Sequence, residues 1–297
     1  MQIQKATTAH LTFRKRSLEF WLSFCEAASF KFSLTPRMSD SAEDDLGIRP
    51  ETIIDSTKAK YVANVMLGKG GFGAVYKVHL EGDKSKEYAM KIEKKKATRK
   101  DSKLKMEIFI LKNVAKLRQG KSHFTKIIDR GKKETYYFIV MDLVGKSLDD
   151  LKNSQPKRIF SLGTGLGFAS QCLEATEDLH EQGCIHRDIK PENFAIGLGA
   201  SKHIVYMLDF GIARKITKED KELKTPRSAV GFKGTIRFAS LACHKREEMG
   251  KKDDCESMVL LTLGFASRLR LALEEDRGQG LGQEVKRREP QRIHRRI

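Results

Sequence analysis

Two short segments constrain this 297-residue chain more than anything else in it: Cys184-Ile185-His186-Arg187-Asp188-Ile189-Lys190-Pro191-Glu192-Asn193 and Leu208-Asp209-Phe210-Gly211. Asp188 offers a carboxylate that can accept the proton of an attacking hydroxyl. Asp209 and the neutral amide of Asn193 supply the hard oxygen donors that magnesium takes. Lys190, two residues beyond Asp188, can hold a phosphoryl group in motion. Taken singly these residues mean little: His186 reads as a core histidine and Asp209 as a turn residue. In this order they suit the transfer of a phosphoryl group from a nucleoside triphosphate, and a fold that keeps them must gather them around one ligand.

A phosphate cradle is legible upstream. Leu67-Gly68-Lys69-Gly70-Gly71-Phe72-Gly73-Ala74-Val75 is a glycine loop whose residues without side chains let backbone amides approach phosphates. Val75 to Leu80 continues as a strand, Glu81-Gly82-Asp83 is a turn, and Tyr88-Ala89-Met90-Lys91-Ile92 is the next strand. The loop therefore joins hairpin strands, unlike the strand-to-helix loop of dinucleotide-binding folds. Lys91 stands where a phosphate-binding lysine is wanted, with a solvated surface lysine as the plainer alternative. Glu107 can counter its charge, because Leu104, Ile108 and Leu111 mark one helical face and Glu107 lies beside it.

The chain resembles the protein kinases, and among them the casein kinase 1 superfamily, most of all its tau-tubulin kinase branch of the nematode type. The likeness runs from about Thr57 to about Leu263. It is carried by Ser122-His123-Phe124-Thr125-Lys126, Val144-Gly145-Lys146-Ser147-Leu148, Phe232-Lys233-Gly234-Thr235-Ile236-Arg237-Phe238-Ala239-Ser240 and Lys252-Asp253-Asp254-Cys255-Glu256-Ser257. The resemblance implies an α+β, bilobal fold with a small β-rich N-lobe and a helical C-lobe. It implies ATP and Mg2+ as cofactors and Ser/Thr of acidic or phosphorylated protein segments as substrate. By the same resemblance Met141 is the gatekeeper, Asp142, Leu143 and Val144 form the hinge, Val75 and Ala89 cover the adenine from above, and Ala195 lies below it. Leu67, Gly68, Gly70 and Gly73 then belong to the ATP site with Lys91 and Glu107. Thr235 bridges Asp188 and Lys190, Asp254 anchors the catalytic loop, and Phe210 and His186 pack inside the core. Arg227, Lys233 and Arg237 fall in the activation segment, where they are expected to form a substrate anion pocket or else to remain solvated surface.

Lys and Arg number 57 against 39 Asp and Glu, a net charge of +18, which favours acidic partners without choosing among them. No aromatic spacing of a nucleic-acid recognition motif falls on the charged segments, so protein substrates are expected and nucleic acid is not. The five cysteines lack zinc-ligand spacing and read as reduced thiols. No apolar run approaches the ~20 residues that span a bilayer. Leu18 to Phe32 imitates a signal peptide, but Glu19 and Glu26 interrupt it. A monomer in the cytoplasm, with the nucleus as second compartment, is the expectation.

Three regions follow: residues 1–56 as a disordered extension in which Met38 is an alternative start, residues 57–263 as the kinase domain with lobes divided at about 144/145, and residues 264–297 as a divergent basic tail. A helix over Leu166 to Gln182 is predicted to bury Ala169, Cys172, Leu173, Ala175, Leu179 and His180. After Leu263 the sequence leaves the family pattern. Gly278, Gly280 and Gly282 would end any helix there, so the C-lobe reads as truncated. Two functions therefore stand open: an active kinase, and a truncated kinase-fold module that binds nucleotide or a protein partner.

Overall fold

A computed structural model describes residues 46–70, 73–95, 102–115, 122–218, 220 and 222–265. The expectations for residues 1–45, for Gly71 and Phe72, and for the tail beyond 265 lie outside the described residues.

Strand-forming sequence dominates the first half. β1 (Ile53–Asp55), β2 (Lys60–Gly70), β3 (Gly73–Leu80), β4 (Asp83–Lys94), β5 (Ile127–Lys132) and β6 (Tyr136–Asp142) make one antiparallel sheet in the order β1-β2-β3-β4-β6-β5. Alternation along the strands separates two faces. Met90, Ile92, Phe138 and Val140 join Ile54, Tyr61 and Val78 in one core. Their neighbours Ala89, Ile139 and Met141 face the other way, where Leu104 of α1 (Lys103–Val114) covers them. Gly82 takes the positive φ of 83° that the β3–β4 turn requires. The sheet begins before the boundary at 57 drawn from sequence: Ile48 and Ile54 are buried, and β1 pairs with β2 through Ile54 and Tyr61.

The second half is helical, with α2 (Leu148–Asn153), α3 (Leu162–Glu181), α4 (Leu241–Lys245) and α5 (Lys251–Phe265) around short strands β7 (Cys184–Ile185), β8 (Phe194–Ile196), β9 (Val205–Met207) and β10 (Arg214–Lys215). α3 starts at Leu162, earlier than the predicted Leu166, because the Ser161 hydroxyl accepts from the Thr164 N–H at 3.2 Å and caps it. Its buried stripe is Phe168, Cys172, Ala175 and Leu179, the i, i+4, i+7, i+11 spacing of a helix face. Leu173, predicted to be buried, falls off that stripe and is 52% exposed. α5 closes on α3 through Phe265, whose ring lies 5.4 Å from Phe160 and 6.2 Å from Phe168. The α+β arrangement of a β-rich lobe and a helical lobe is the one expected. Among the described residues no helix is long and apolar enough to cross a membrane.

Candidate active site

Lys91 on β4 is placed by its neighbours on both sides, opposite Val75 of β3 and Ile139 of β6. Its Nζ donates to Glu107 Oε2 at 2.7 Å and to Asp209 Oδ1 at 2.8 Å. Burial alone would lower the ammonium's pKa, but Glu107 and Asp209 outweigh it and hold the group well above the ordinary lysine range. Burial works against the Asp209 carboxylate too, yet Lys91 and the Gly211 N–H hold it down to about 2. Asp209 has φ 59°, a left-handed conformation that a non-glycine residue adopts at some cost.

Glu93, two residues along β4 from Lys91, was not singled out from sequence. It is buried, and its Oε1 accepts from the Lys103 N–H at 3.0 Å while Oε2 accepts from the Leu104 N–H at 2.9 Å and the Ser102 hydroxyl at 2.5 Å. It thus satisfies donors that the first turn of a helix leaves free. One strand therefore holds α1 twice, at its N-terminus by Glu93 and a turn later by Lys91 on Glu107. An acidic residue at even spacing from the lysine on a strand is the signal that could have revealed it. Glu93→Ala is expected to cost roughly 2–3 kcal/mol in a thermal melt, with a raised KM for ATP that Glu93→Gln partly restores.

The second cluster lies on the loop between β7 and β8. Thr235 Oγ1 donates to Asp188 Oδ1 at 2.8 Å and accepts from Lys190 Nζ at 2.9 Å. Lys190 Nζ also lies 3.1 Å from Asp188 Oδ2. Asn193 Nδ2 donates to the Asp188 backbone carbonyl at 2.8 Å and to Asp188 Oδ2 at 3.1 Å. Arg187 has φ 69°, so the loop needs a restraint. Asp254, buried on α5, provides it: Oδ2 accepts from the His186 N–H at 2.7 Å and Oδ1 from the Arg187 N–H at 2.9 Å, while His180 Nε2 lies 2.9 Å from Oδ2. Gly234 has φ 98°, and a Cβ there would lie 2.4 Å from the Arg187 carbonyl oxygen, so only glycine lets the two segments meet.

The two clusters are joined. Leu208 N–H donates to the Asn193 carbonyl at 2.8 Å, and the Leu208 carbonyl accepts from His186 Nε2 at 3.1 Å. His186 Nδ1 accepts from the Asp188 N–H at 3.2 Å, so one tautomer satisfies both ring nitrogens. Its ring packs 5.4 Å from Phe210 at a tilt of 59°, which fits the packing role expected of the pair.

Val75, Ala89, Met141 and Leu143 come together in one apolar cluster beside α1. Leu67 and Gly68 lie on β2 and Gly70 pairs with Gly73 across the loop ends, where a Cβ on Gly73 would strike the Ile92 carbonyl oxygen. Asp142 ends β6 and accepts from the Lys126 N–H at 3.0 Å; Val144 follows, and Ala195 is buried on β8 across a bridge to Ser147. Asp209 and Asn193 fit magnesium. The Asn193 amide nitrogen is turned to Asp188, which leaves its oxygen for a cation, and magnesium needs few protein ligands when substrate phosphates supply others.

The expected anion pocket has a different inner arrangement. Arg227 makes a bidentate contact with Glu248, Nε to Oε2 at 2.7 Å and Nη2 to Oε1 at 3.0 Å, and Arg214 Nη2 lies 3.6 Å from the same carboxylate. Arg187, lowered to about 10 by burial and then by Arg214 and Arg227, completes the basic group. Lys233 is exposed, and exposed Arg237 lies over the Phe238 ring at 5.6 Å. Chiefly through its hydrogen bond to Arg227, Glu248 is held down to about 2 from an ordinary 4.5. A depressed carboxylate stabilises above its unfolded pKa and stops doing so as pH falls through the folded one. The Arg227 link is therefore complete above about pH 4.5 and is lost toward pH 2. Pepsin cleavage between residues 214 and 248 should rise over that window, and Glu248→Gln should flatten the rise.

A family profile described as "Protein kinase domain" matches residues 61–277. A candidate serine/threonine-protein kinase of Caenorhabditis elegans is 40% identical over 177 residues, covering 59% of this chain and 54% of the relative. Serine/threonine-protein kinase spe-6 of the same organism is 34% identical over 200 residues, covering 67% and 51%. A candidate casein kinase I, also from that organism, is 34% identical over 196 residues, covering 65% and 56%. The chain spans about half the length of the curated relatives it matches.

Proposed function

The chain belongs to the protein kinase domain family, and from that premise we propose that it is a serine/threonine kinase of the casein kinase 1 type, tau-tubulin kinase-like, acting on acidic or phosphorylated protein segments. The observation that carries the reading is the Thr235 hydroxyl, donating to Asp188 Oδ1 at 2.8 Å while it accepts from Lys190 Nζ at 2.9 Å. That bridge leaves Asp188 as an oriented carboxylate beside a fixed ammonium. A substrate hydroxyl gives its proton to Asp188, Lys190 offsets charge on the phosphoryl group as it moves, and Lys91, held by Glu107, grips the phosphates. Magnesium, held by Asp209 and Asn193, would neutralise phosphate charge when bound.

Substrate preference follows from the basic segment. An acidic or phosphorylated residue near the target hydroxyl would meet Lys233 and Arg237, and would exchange with Glu248 on Arg227. Arg227→Ala with Lys233→Ala is expected to weaken turnover of phosphorylated peptides selectively; equal loss on unphosphorylated ones would contradict the pocket.

The activity is tested by incubating the purified chain with labelled ATP, magnesium and casein, then identifying the labelled amino acid. Label on serine or threonine is expected. Label on tyrosine would overturn the specificity, and nucleotide binding without transfer would favour a binding module.

A further inference from the structure

Asp253 is a fully buried carboxylate that takes no part in the chemistry proposed above. It stands on α5 next to Asp254, which holds the loop that bears Asp188. Successive residues of a helix point about 100° apart, so one turn of α5 can reach two segments at once. Asp253 secures the start of its own helix, where Oδ2 accepts from the Gly250 N–H at 2.8 Å and Oδ1 from Lys252 Nζ at 3.0 Å. It also accepts from the hydroxyl of Ser240, which is fully buried too and caps α4 by accepting from the Cys243 N–H at 3.3 Å. A second α5 carboxylate, Glu256, accepts from the neighbouring Leu241 N–H at 2.9 Å.

Ser240 ends the stretch that Thr235 begins. One end is tied to the catalytic loop, since Thr235 Oγ1 meets Asp188 at 2.8 Å and Lys190 at 2.9 Å, and the other end is tied to α5. Between them the chain makes one tight turn, with the Phe238 N–H donating to the Thr235 carbonyl at 3.0 Å and the Phe238 ring buried. Ile236, 72% exposed, and exposed Arg237 are left in solvent beside the reacting groups. We propose that Asp253 is a positioning residue for the protein substrate: it fixes Ser240 while Asp254 fixes the catalytic loop, and so sets where the 235–240 stretch lies relative to Asp188. The inference rests on the kinase reading above. Its partners Ser240, Gly250 and Lys252 are separate from the cluster of Lys91, Glu107 and Asp209, so its loss acts on peptide rather than on ATP.

Steady-state kinetics with ATP, magnesium and an acidic serine peptide test this on the full chain carrying Asp253→Asn, Ser240→Ala or both. Asparagine keeps the size of the side chain but puts a donor in place of one acceptor oxygen. Ser240→Ala leaves the bonds of Asp253 to Gly250 and Lys252 in place. Each single variant is expected to lower kcat/KM for the peptide by roughly tenfold, with KM for ATP changed by less than about twofold. The double variant should lose little more than either single one, because both remove the same bond. Hydrogen exchange should quicken over residues 235–241 and stay unchanged over residues 103–114. Equal losses toward peptide and ATP would mark a merely structural role and overturn the proposal, and so would additive losses in the double variant. Should Asp253→Asn fail to fold, Ser240→Ala alone decides by the same comparison of peptide with ATP. A parent chain that transfers no phosphate defeats the kinase reading instead, and the exchange pattern then decides whether Asp253 holds the 235–240 stretch.

Discussion

Asp188→Asn is expected to lower kcat by about 100- to 10,000-fold, the range spanned by loss of a positioned proton acceptor. The amide is the same size as the carboxylate and its Oδ1 can still accept from Thr235, as Asp188 does at 2.8 Å. The Asn193 contact to the Asp188 backbone carbonyl at 2.8 Å does not involve the substituted group. Basicity is removed, and because an amide nitrogen replaces Oδ2, the contacts of Lys190 Nζ and Asn193 Nδ2 to that oxygen, both at 3.1 Å, are lost with it. ATP affinity should stay close to that of the parent, since Lys91, Glu107 and Asp209 form a separate cluster. A fall in affinity matching the fall in kcat would instead mean that the loop had moved.

Asp254→Ala should be the most damaging change away from the reacting groups. It strands the N–H groups of His186 and Arg187 and removes the partner of His180 in a region where Asp254 itself is 1% exposed. Leaving such buried groups without their charged partner costs roughly 3–5 kcal/mol. At about 2–4 °C per kcal/mol for a domain of this size, the melting temperature should fall by about 6–20 °C. Activity should fall further than stability explains, because the loop that bears Asp188 is displaced, and ~1 Å of misplacement costs about 100-fold. Asp254→Asn keeps one acceptor oxygen and should lie between the two.

The difference between these predictions mirrors what could be read in the sequence. Asp188, Lys190, Asn193 and Asp209 were legible because phosphoryl transfer demands those groups and they fall in short ordered phrases. Lys91 was legible from its place in the strand phrase Tyr88-Ala89-Met90-Lys91-Ile92 after the glycine loop, and Glu107 from its position beside the helical face of Leu104, Ile108 and Leu111. Glu93 was not, since its partners are backbone N–H groups of α1, and its even spacing from Lys91 marks only a shared strand face. Glu248 was missed for a related reason: its contact with Arg227 spans 21 residues that include loop and the short helix α4, so no single period links them. Arg227, expected to await an external anion, is engaged by an internal one. On α3, apolar identity suggested burial for Leu173, but the helix face is set by Phe168, Cys172, Ala175 and Leu179, and Leu173 points away.

The most direct test of the account is the heat of ATP binding, measured by calorimetry with and without magnesium for the parent chain and for Lys91→Met. If Lys91, Asn193 and Asp209 serve one nucleotide, the parent should bind ATP in a magnesium-dependent manner and Lys91→Met should bind it at least roughly tenfold more weakly. ATP binding of equal strength in both chains, indifferent to magnesium, would contradict the convergence of these groups on a single ligand.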